Sequence, residues 1–308
     1  MVCRLAKCAA PKPLLLIPDF ALILFGFFLN RITDWGRSFW GGLEKLIYYV
    51  LFPALLFNSI ARTKIDFVAA APALTTAVVM VIVGIVLAWL AKPLFRPAEK
   101  TFASGFQTAF RFNSYIGLAI AGRLHEEAGI AAFGIVIGLV VPLCNVASVW
   151  ALAKHNEASL SKELIQNPLI LATVGGVLYS LSGLPLPEVA QMLISRMGAA
   201  SLACGLLCVG AALELKNVGK NAGLISYFTA VKLIAMPVVA LLTARALGVT
   251  GVFFDMVVLL SALPTATSAY ILAVRMGGDG PVVAQGITIS TLLGMLAIPL
   301  WLNASRFI

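Results

Sequence analysis

The stretch Ser261-Ala-Leu-Pro-Thr-Ala-Thr-Ser-Ala-Tyr270 places one proline and five hydroxyl side chains inside the apolar run 253–274. That run can cross a bilayer, which takes about 20 residues. Pro264 has no N–H to donate, so it leaves a carbonyl one turn earlier without its usual helical partner. In hydrocarbon such a group needs a partner in protein or in a water-lined cavity. The stretch therefore predicts a broken, polar helix at membrane depth.

The composition excludes a soluble protein. The chain has 308 residues, of which 61% are hydrophobic and 11% are charged, whereas an average soluble domain is about 25% charged. The net charge of +9 does not indicate nucleic-acid binding, because the Lys and Arg residues lie between apolar runs and not in one patch. We therefore expect an all-α integral membrane protein whose surroundings are the lipid bilayer.

Ten apolar runs qualify as membrane spans. They are residues 14–30, 43–60, 68–91, 103–122, 128–153, 166–184, 198–215, 222–247, 253–274 and 282–302. The first run is followed by Asn30-Arg31 without a clear small-residue cleavage site, which favours a retained helix over a signal peptide. The predicted divisions are an N-terminal tail at 1–13, a five-helix repeat at 14–153, a connecting loop at 154–165 and a second five-helix repeat at 166–308.

The fourth span of each half is the polar one. In the first half it contains Arg111-Phe-Asn-Ser-Tyr-Ile-Gly117, and in the second half it contains the stretch around Pro264. An odd number of spans per half inserts the two halves in opposite directions. Interrupted segments at matching positions of inverted halves indicate a binding site near the bilayer midplane.

The distribution of basic residues predicts the orientation. With ten spans, both termini lie on one side, where the loops and tails hold nine Lys and Arg residues; the opposite loops hold eleven. The side richer in Lys and Arg is normally cytoplasmic. We expect a multi-pass protein of the inner, or plasma, membrane with both termini outside.

Arg111 is the first candidate for substrate binding. A charge at the bilayer centre costs about 2.5–3.5 kcal/mol on insertion scales. A guanidinium can bind a carboxylate through two parallel hydrogen bonds, that is, in a bidentate pair. The alternatives are a structural ion pair with Asp19 or Glu214, or a position nearer to water.

The other candidates for the substrate site are polar or lie at the breaks: Asn113, Ser114, Pro264, Thr265, Thr267, Ser268 and Tyr270. Candidates for ion coupling or cavity lining are Asp19, Asn58, Asn145 and Lys232, all of which could instead serve in packing or at an interface.

Enzyme chemistry is not predicted. The chain contains no His-Glu-x-x-His, Gly-x-Ser-x-Gly or Asp-rich metal motif. Cys204 and Cys208 share a helix face, but without a nearby His or acidic residue they favour packing over a metal pair. We expect no catalytic residue, metal or cofactor, while coupling to Na⁺ or H⁺ stays open.

Several motifs occur in the order typical of one family. They are Tyr48-Tyr-Val-Leu-Phe-Pro-Ala-Leu-Leu-Phe57, Phe112-Asn-Ser-Tyr-Ile-Gly117, Asn167-Pro-Leu-Ile170, Leu263-Pro-Thr-Ala-Thr-Ser-Ala-Tyr-Ile-Leu-Ala273, Gly277-Gly-Asp, Ser290-Thr-Leu-Leu-Gly and Ile298-Pro-Leu-Trp301. Together they resemble the auxin efflux carrier family over nearly the whole chain. The resemblance implies a fold like that of the bile-acid sodium symporters, in which interrupted helices 4 and 9 cross and one domain moves like an elevator. It also implies small carboxylates as substrates and allows a homodimer.

Two departures from the family pattern affect the crossing. The plant pattern has Pro-Asn where this chain has Phe112-Asn113, and the crossing proline of helix 9 is replaced near Ser268, although Pro264 is kept. The long loop of plant members between helices 5 and 6 is also absent.

From the motifs and the two polar breaks we expect a secondary transporter, or permease, of small organic anions. The alternatives are a sodium-coupled symporter of the same fold and a membrane ligand sensor without transport.

Overall fold

The computed structural model describes residues 17–62, 67–152, 168–213 and 221–306. The α-helices are α1 (Ile17–Ile32), α2 (Gly36–Leu46), α3 (Phe52–Arg62), α4 (Phe67–Phe95), α5 (Glu99–Phe106), α6 (Ser114–Leu152), α7 (Pro168–Ser182), α8 (Glu188–Ala211), α9 (Ala222–Ala230), α10 (Met236–Ala246), α11 (Gly251–Ala262), α12 (Ser268–Arg275) and α13 (Gly280–Ala304). Two π-helical turns, Ile47–Leu51 and Val231–Ala235, join α2 to α3 and α9 to α10, and the 3₁₀ turn Gln107–Ala109 follows α5. The predicted tail 1–13, loop 154–165 and residue Glu214 lie outside the described residues.

The prediction of an integral membrane protein is confirmed. Six helical stretches among the described residues are long and apolar enough to cross a bilayer: Ser38–Arg62, Ala70–Phe95, Glu99–Leu152, Glu188–Ala211, Ala222–Ala246 and Gly280–Ala304. Large apolar side chains such as Val86, Leu178, Leu242 and Leu296 are exposed on these and neighbouring helices. Such surfaces are unfavourable in water and suit lipid.

The stretch Glu99–Leu152 is too long for one crossing. Its 54 residues would extend about 80 Å as a straight helix, against a hydrocarbon core of about 30 Å. The chain reverses at His125 and Glu126, where Glu126 adopts a positive φ of 52°. Gly129 then packs on the Ala121 carbonyl, and Gly117 packs on Phe133. The segments on either side of the kink thus form an antiparallel hairpin, as the two separate runs 103–122 and 128–153 predicted.

Some predicted boundaries differ from the structure. The run 198–215 was the apolar part of a longer helix, since α8 already begins at Glu188, directly after Pro187. Proline is tolerated at the start of a helix but not in its interior, so Pro187 favours a helix that begins after it. An acidic residue in the first turn, here Glu188, is stabilised by the helix dipole. The polar residues Glu188, Gln191, Ser195 and Arg196 interrupt the apolar ones in the first turns of α8, and they hid this start from a search based on hydrophobicity.

The helices form two groups. Helices α1, α2, α3, α7 and α8 pack together as a peripheral group, and the remaining helices pack together as a crossing group. The two groups meet mainly through α6. Within the peripheral group, α1 and α8 approach closely because Gly26 lies on the Leu207 carbonyl and Gly210 lies on the Ile23 carbonyl. Small residues allow such backbone contact between membrane helices.

Candidate functional site

The two predicted breaks lie side by side in the crossing group. The first break separates the 3₁₀ turn Gln107–Ala109 from α6, and the second separates α11 from α12. The backbone N–H of Asn113 donates to the carbonyl of Pro264 at 2.9 Å. The hydroxyl of Thr265 donates to the carbonyl of Thr108 at 2.7 Å. Each break therefore supplies partners for backbone groups that the other leaves free.

Asn113 explains why a helix restarts after the first break. Its Oδ1 accepts hydrogen bonds from the backbone N–H groups of Tyr115 at 3.0 Å and Ile116 at 3.3 Å. An asparagine in this position satisfies N–H groups that have no partner within the helix. Its amide nitrogen, Nδ2, is buried and has no hydrogen-bond partner among the described residues. A buried donor without a partner is unusual in a folded protein and is a feature that a ligand would satisfy.

Arg111 bridges the two breaks. Its Nη2 donates to Ser268 Oγ at 2.9 Å, and its Nη1 donates to Gln107 Oε1 at 3.3 Å. By its resemblance to the family, this chain lacks the crossing proline near Ser268, and the Ser268 hydroxyl accepts here a hydrogen bond that a proline side chain could not accept. Both of these contacts hold the guanidinium at the crossing of the two breaks.

A cavity of about 130 Å³ lies against the crossing. Six of the predicted site residues line it: Arg111, Asn113, Ser114, Asn145, Thr267 and Ser268. Tyr48, Phe112, Tyr115, Val141, Cys144 and Ala266 complete the lining. A positive charge, amides and hydroxyls on an otherwise apolar wall are suited to a small anion with polar ends.

Comparisons with known proteins agree on one family. The profile of the family described as "Membrane transport protein" matches residues 152–302. The "Putative malonate transporter" of Rhizobium meliloti is 26% identical over 297 residues, covering 92% of this chain and 92% of the relative. The "Uncharacterized transporter YfdV" of Escherichia coli K12 is 24% identical over 310 residues, covering 95% and 97% of the two chains. These matches support a membrane transporter of the auxin efflux carrier family and not an enzyme.

The remaining predicted residues of this transporter do not line the cavity. Pro264 and Thr265 hold the crossing together, and Tyr270 packs against the small cluster of Ala269, Ala273, Val283 and Ile287. Asn58 is buried in the peripheral group on α3, where its Oδ1 has no partner among the described residues.

The sequence left open a structural ion pair between Asp19 and Arg111, but Asp19 does not pair with Arg111. It accepts instead from Arg123 at 3.3 Å, near the kink of α6. Arg62 and Glu127 form a second ion pair at the same end, 2.6 Å apart. Asp19 and Arg62 belong to the peripheral group, whereas Arg123 and Glu127 belong to α6. These two pairs therefore join the groups of the transporter, and Asp19 takes no part in the cavity.

Two residues near the site lie in π-helical turns. Tyr48, in the turn Ile47–Leu51, lines the cavity, and Lys232, in the turn Val231–Ala235, is fully buried with its Nζ 3.4 Å from the Ser261 carbonyl. Such π turns often mark functional positions in membrane and soluble helices. Sequence reasoning found Lys232 by its charge but missed Tyr48 as a lining residue, because a π turn has no residue pattern of its own.

Proposed function

We propose that this protein is a secondary transporter of small carboxylates, with the substrate bound in the cavity beside the crossed breaks. The observation that carries the proposal is the arrangement of Arg111. Its guanidinium spans both breaks through Ser268 and Gln107 and lies in the cavity wall beside the free amide donor of Asn113. A carboxylate can accept from both groups, since guanidinium and amide N–H groups are strong donors to anions.

The proposed architecture is ten membrane crossings in two inverted five-helix repeats. It is supported by the matching order of elements: each half has a broken fourth crossing, made of α5 and the start of α6 in one half and of α11 and α12 in the other. Inverted repeats that meet at broken helices favour alternating access around a midplane site. Reporter fusions to the C-terminus test the predicted outside location of both termini, and a cytoplasmic reporter signal would refute it.

The substrate class is tested with purified protein in liposomes. Malonate is the first compound to examine, because it is a small dianion and one relative is named for it. We expect saturable malonate or related dicarboxylate uptake by the wild type and at least tenfold less uptake by Arg111→Ala and by Asn113→Ala. Arg196→Ala is the control, since Arg196 is exposed on α8. Unchanged saturable uptake in both site variants would refute this site.

A ligand sensor would give a different result in the same preparation. A thermal-shift screen of mono- and dicarboxylates would then reveal a ligand that raises the Tm of the wild type. Flux in liposomes would be absent at every concentration tested. Binding without flux would therefore favour the sensor over the transporter.

Elevator-like movement of the crossing group against the peripheral group is the proposed mechanism of access. It is supported by the limited contact between the groups, which runs mainly through α6. The movement requires the Arg62–Glu127 pair to separate. In the double variant Arg62→Cys, Glu127→Cys, a short bismaleimide that joins the two introduced thiols should therefore block uptake. Arg62→Cys alone and Glu127→Cys alone, treated in the same way, should keep it. Full uptake by the cross-linked protein would exclude this movement.

A homodimer stays a prediction. Light scattering in detergent tests it by measuring the mass of the protein.

A further inference from the structure

Lys232 is a fully buried lysine at the second break. Its side chain is 0% exposed, and it lies in the middle of the membrane-crossing stretch Ala222–Ala246. The ammonium donates to the Ser261 carbonyl at 3.4 Å and contacts the Met236 sulfur at 3.9 Å. It forms no ion pair within the described part of the chain. A charge placed so deeply in a membrane protein is expensive, and it calls for a specific role.

The break frees the carbonyl that Lys232 contacts. In a continuous helix the Ser261 carbonyl would accept from the N–H of Thr265, four residues later. That N–H donates instead to Ser290 Oγ at 3.2 Å, because α11 ends at Ala262. The Ser261 carbonyl therefore lies at the C-terminal end of a half helix, where the helix dipole is negative. Such half-helix ends and unwound carbonyls coordinate Na⁺ in many transporters.

The first break handles its free carbonyls differently. The Thr108 carbonyl accepts from the Thr265 hydroxyl, and the Gln107 carbonyl accepts from the backbone N–H groups of Phe110 and Arg111. Neutral donors are therefore sufficient to satisfy a broken helix in this fold. At the second break the Pro264 carbonyl also accepts from a neutral donor, the Asn113 N–H, but the Ser261 carbonyl accepts from the amino group of a lysine, which a merely structural cap does not require.

We propose that the Lys232 ammonium is a built-in cation that takes the place of a coupling Na⁺ at the end of α11. Substrate transport is then independent of sodium, and the anion's charge is balanced by Arg111 and Lys232 together. This inference rests on the proposed transport function and decides against the sodium-coupled alternative.

The experiment compares sodium with N-methyl-D-glucamine as the only bulk cation. Wild-type malonate uptake and Tm should be the same in both media. Lys232→Ala should lose at least tenfold of its uptake without sodium. It should regain part of that uptake, and several degrees of Tm, when Na⁺ enters the vacated space at the Ser261 carbonyl. Lys100→Ala, which changes an exposed lysine, should behave like the wild type.

Two results would overturn the inference: sodium-dependent uptake by the wild type, or a loss in Lys232→Ala that sodium does not reverse. The second result would leave Lys232 as a helix cap. If Lys232→Ala does not fold, the wild-type comparison still decides whether sodium is needed. If the wild type transports nothing, the proposed function fails separately, while the sodium dependence of the Tm in Lys232→Ala still tests the cation position.

Discussion

The hydroxyl of Thr265 donates a 2.7 Å hydrogen bond to the carbonyl of Thr108, and this bond ties together the two breaks that shape the cavity. Thr265 is 1% exposed and Thr108 is 4% exposed. Neither lipid nor bulk water can therefore replace the bond. The crossing is held by side-chain and backbone hydrogen bonds between two distant parts of the sequence. The loss of one partner should therefore lower the stability of the protein.

Thr265→Val should lower the free energy of unfolding by about 1–3 kcal/mol, because it leaves the buried Thr108 carbonyl without a donor. Valine has nearly the same shape as threonine, so packing changes little. The Tm in detergent measures the effect. Thr265→Ser keeps the hydroxyl and is the matched control, and a Thr265→Val variant with the Tm of the wild type would show that the bond does not stabilise the crossing.

Asn113→Asp separates the two tasks of Asn113. An aspartate still accepts from the N–H groups of Tyr115 and Ile116, so the cap should survive and the Tm should stay near that of the wild type. The Nδ2 donor is lost and a negative charge enters the cavity wall, so carboxylate affinity in calorimetry should fall at least tenfold. Asn113→Ala removes the cap as well and should lose about 1 kcal/mol of stability. Unchanged affinity in Asn113→Asp would remove Asn113 from the site.

The sequence predicted the breaks well because their signals are local. A proline, several hydroxyls and an arginine inside apolar runs are visible without any knowledge of packing, and their matching positions in the two halves indicated one site. The contribution of Tyr48 and Cys144 to the cavity was not visible, since an aromatic or thiol on an apolar helix is usually a packing residue. The partner of Asp19 was also out of reach, because it depends on where the kink at His125 places Arg123.

Gly210→Ala should disrupt the contact between α1 and α8. A Cβ at Gly210 would overlap the carbonyl of Ile23, and backbone cannot move aside as a flexible side chain can. We expect a loss of about 1–3 kcal/mol and a smaller monodisperse peak in size-exclusion chromatography. At Gly175 the nearest atom to an added Cβ is 3.9 Å away, so Gly175→Ala is the control. Equal yields of the two variants would contradict the close approach.

The two ion pairs between the groups should differ in strength. Asp19 is 6% exposed in its side chain, whereas Arg62 and Glu127 are 36% and 47% exposed. Arg62→Ala should therefore cost at most about 1 kcal/mol, as exposed pairs do. Arg123→Ala should cost about 2 kcal/mol or more, because it leaves a buried carboxylate without its cation. Chemical denaturation in mild detergent compares the two variants.

The cause of that difference can be tested within the same pair. Since Asp19 Oδ2 already lacks a hydrogen-bond partner among the described residues, the cost of Arg123→Ala should come from the remaining charge and not from the lost arginine contacts. Adding Asp19→Asn to Arg123→Ala should then restore most of the lost stability. If the double variant is as unstable as Arg123→Ala alone, the arginine stabilises α6 through packing and not by neutralising Asp19.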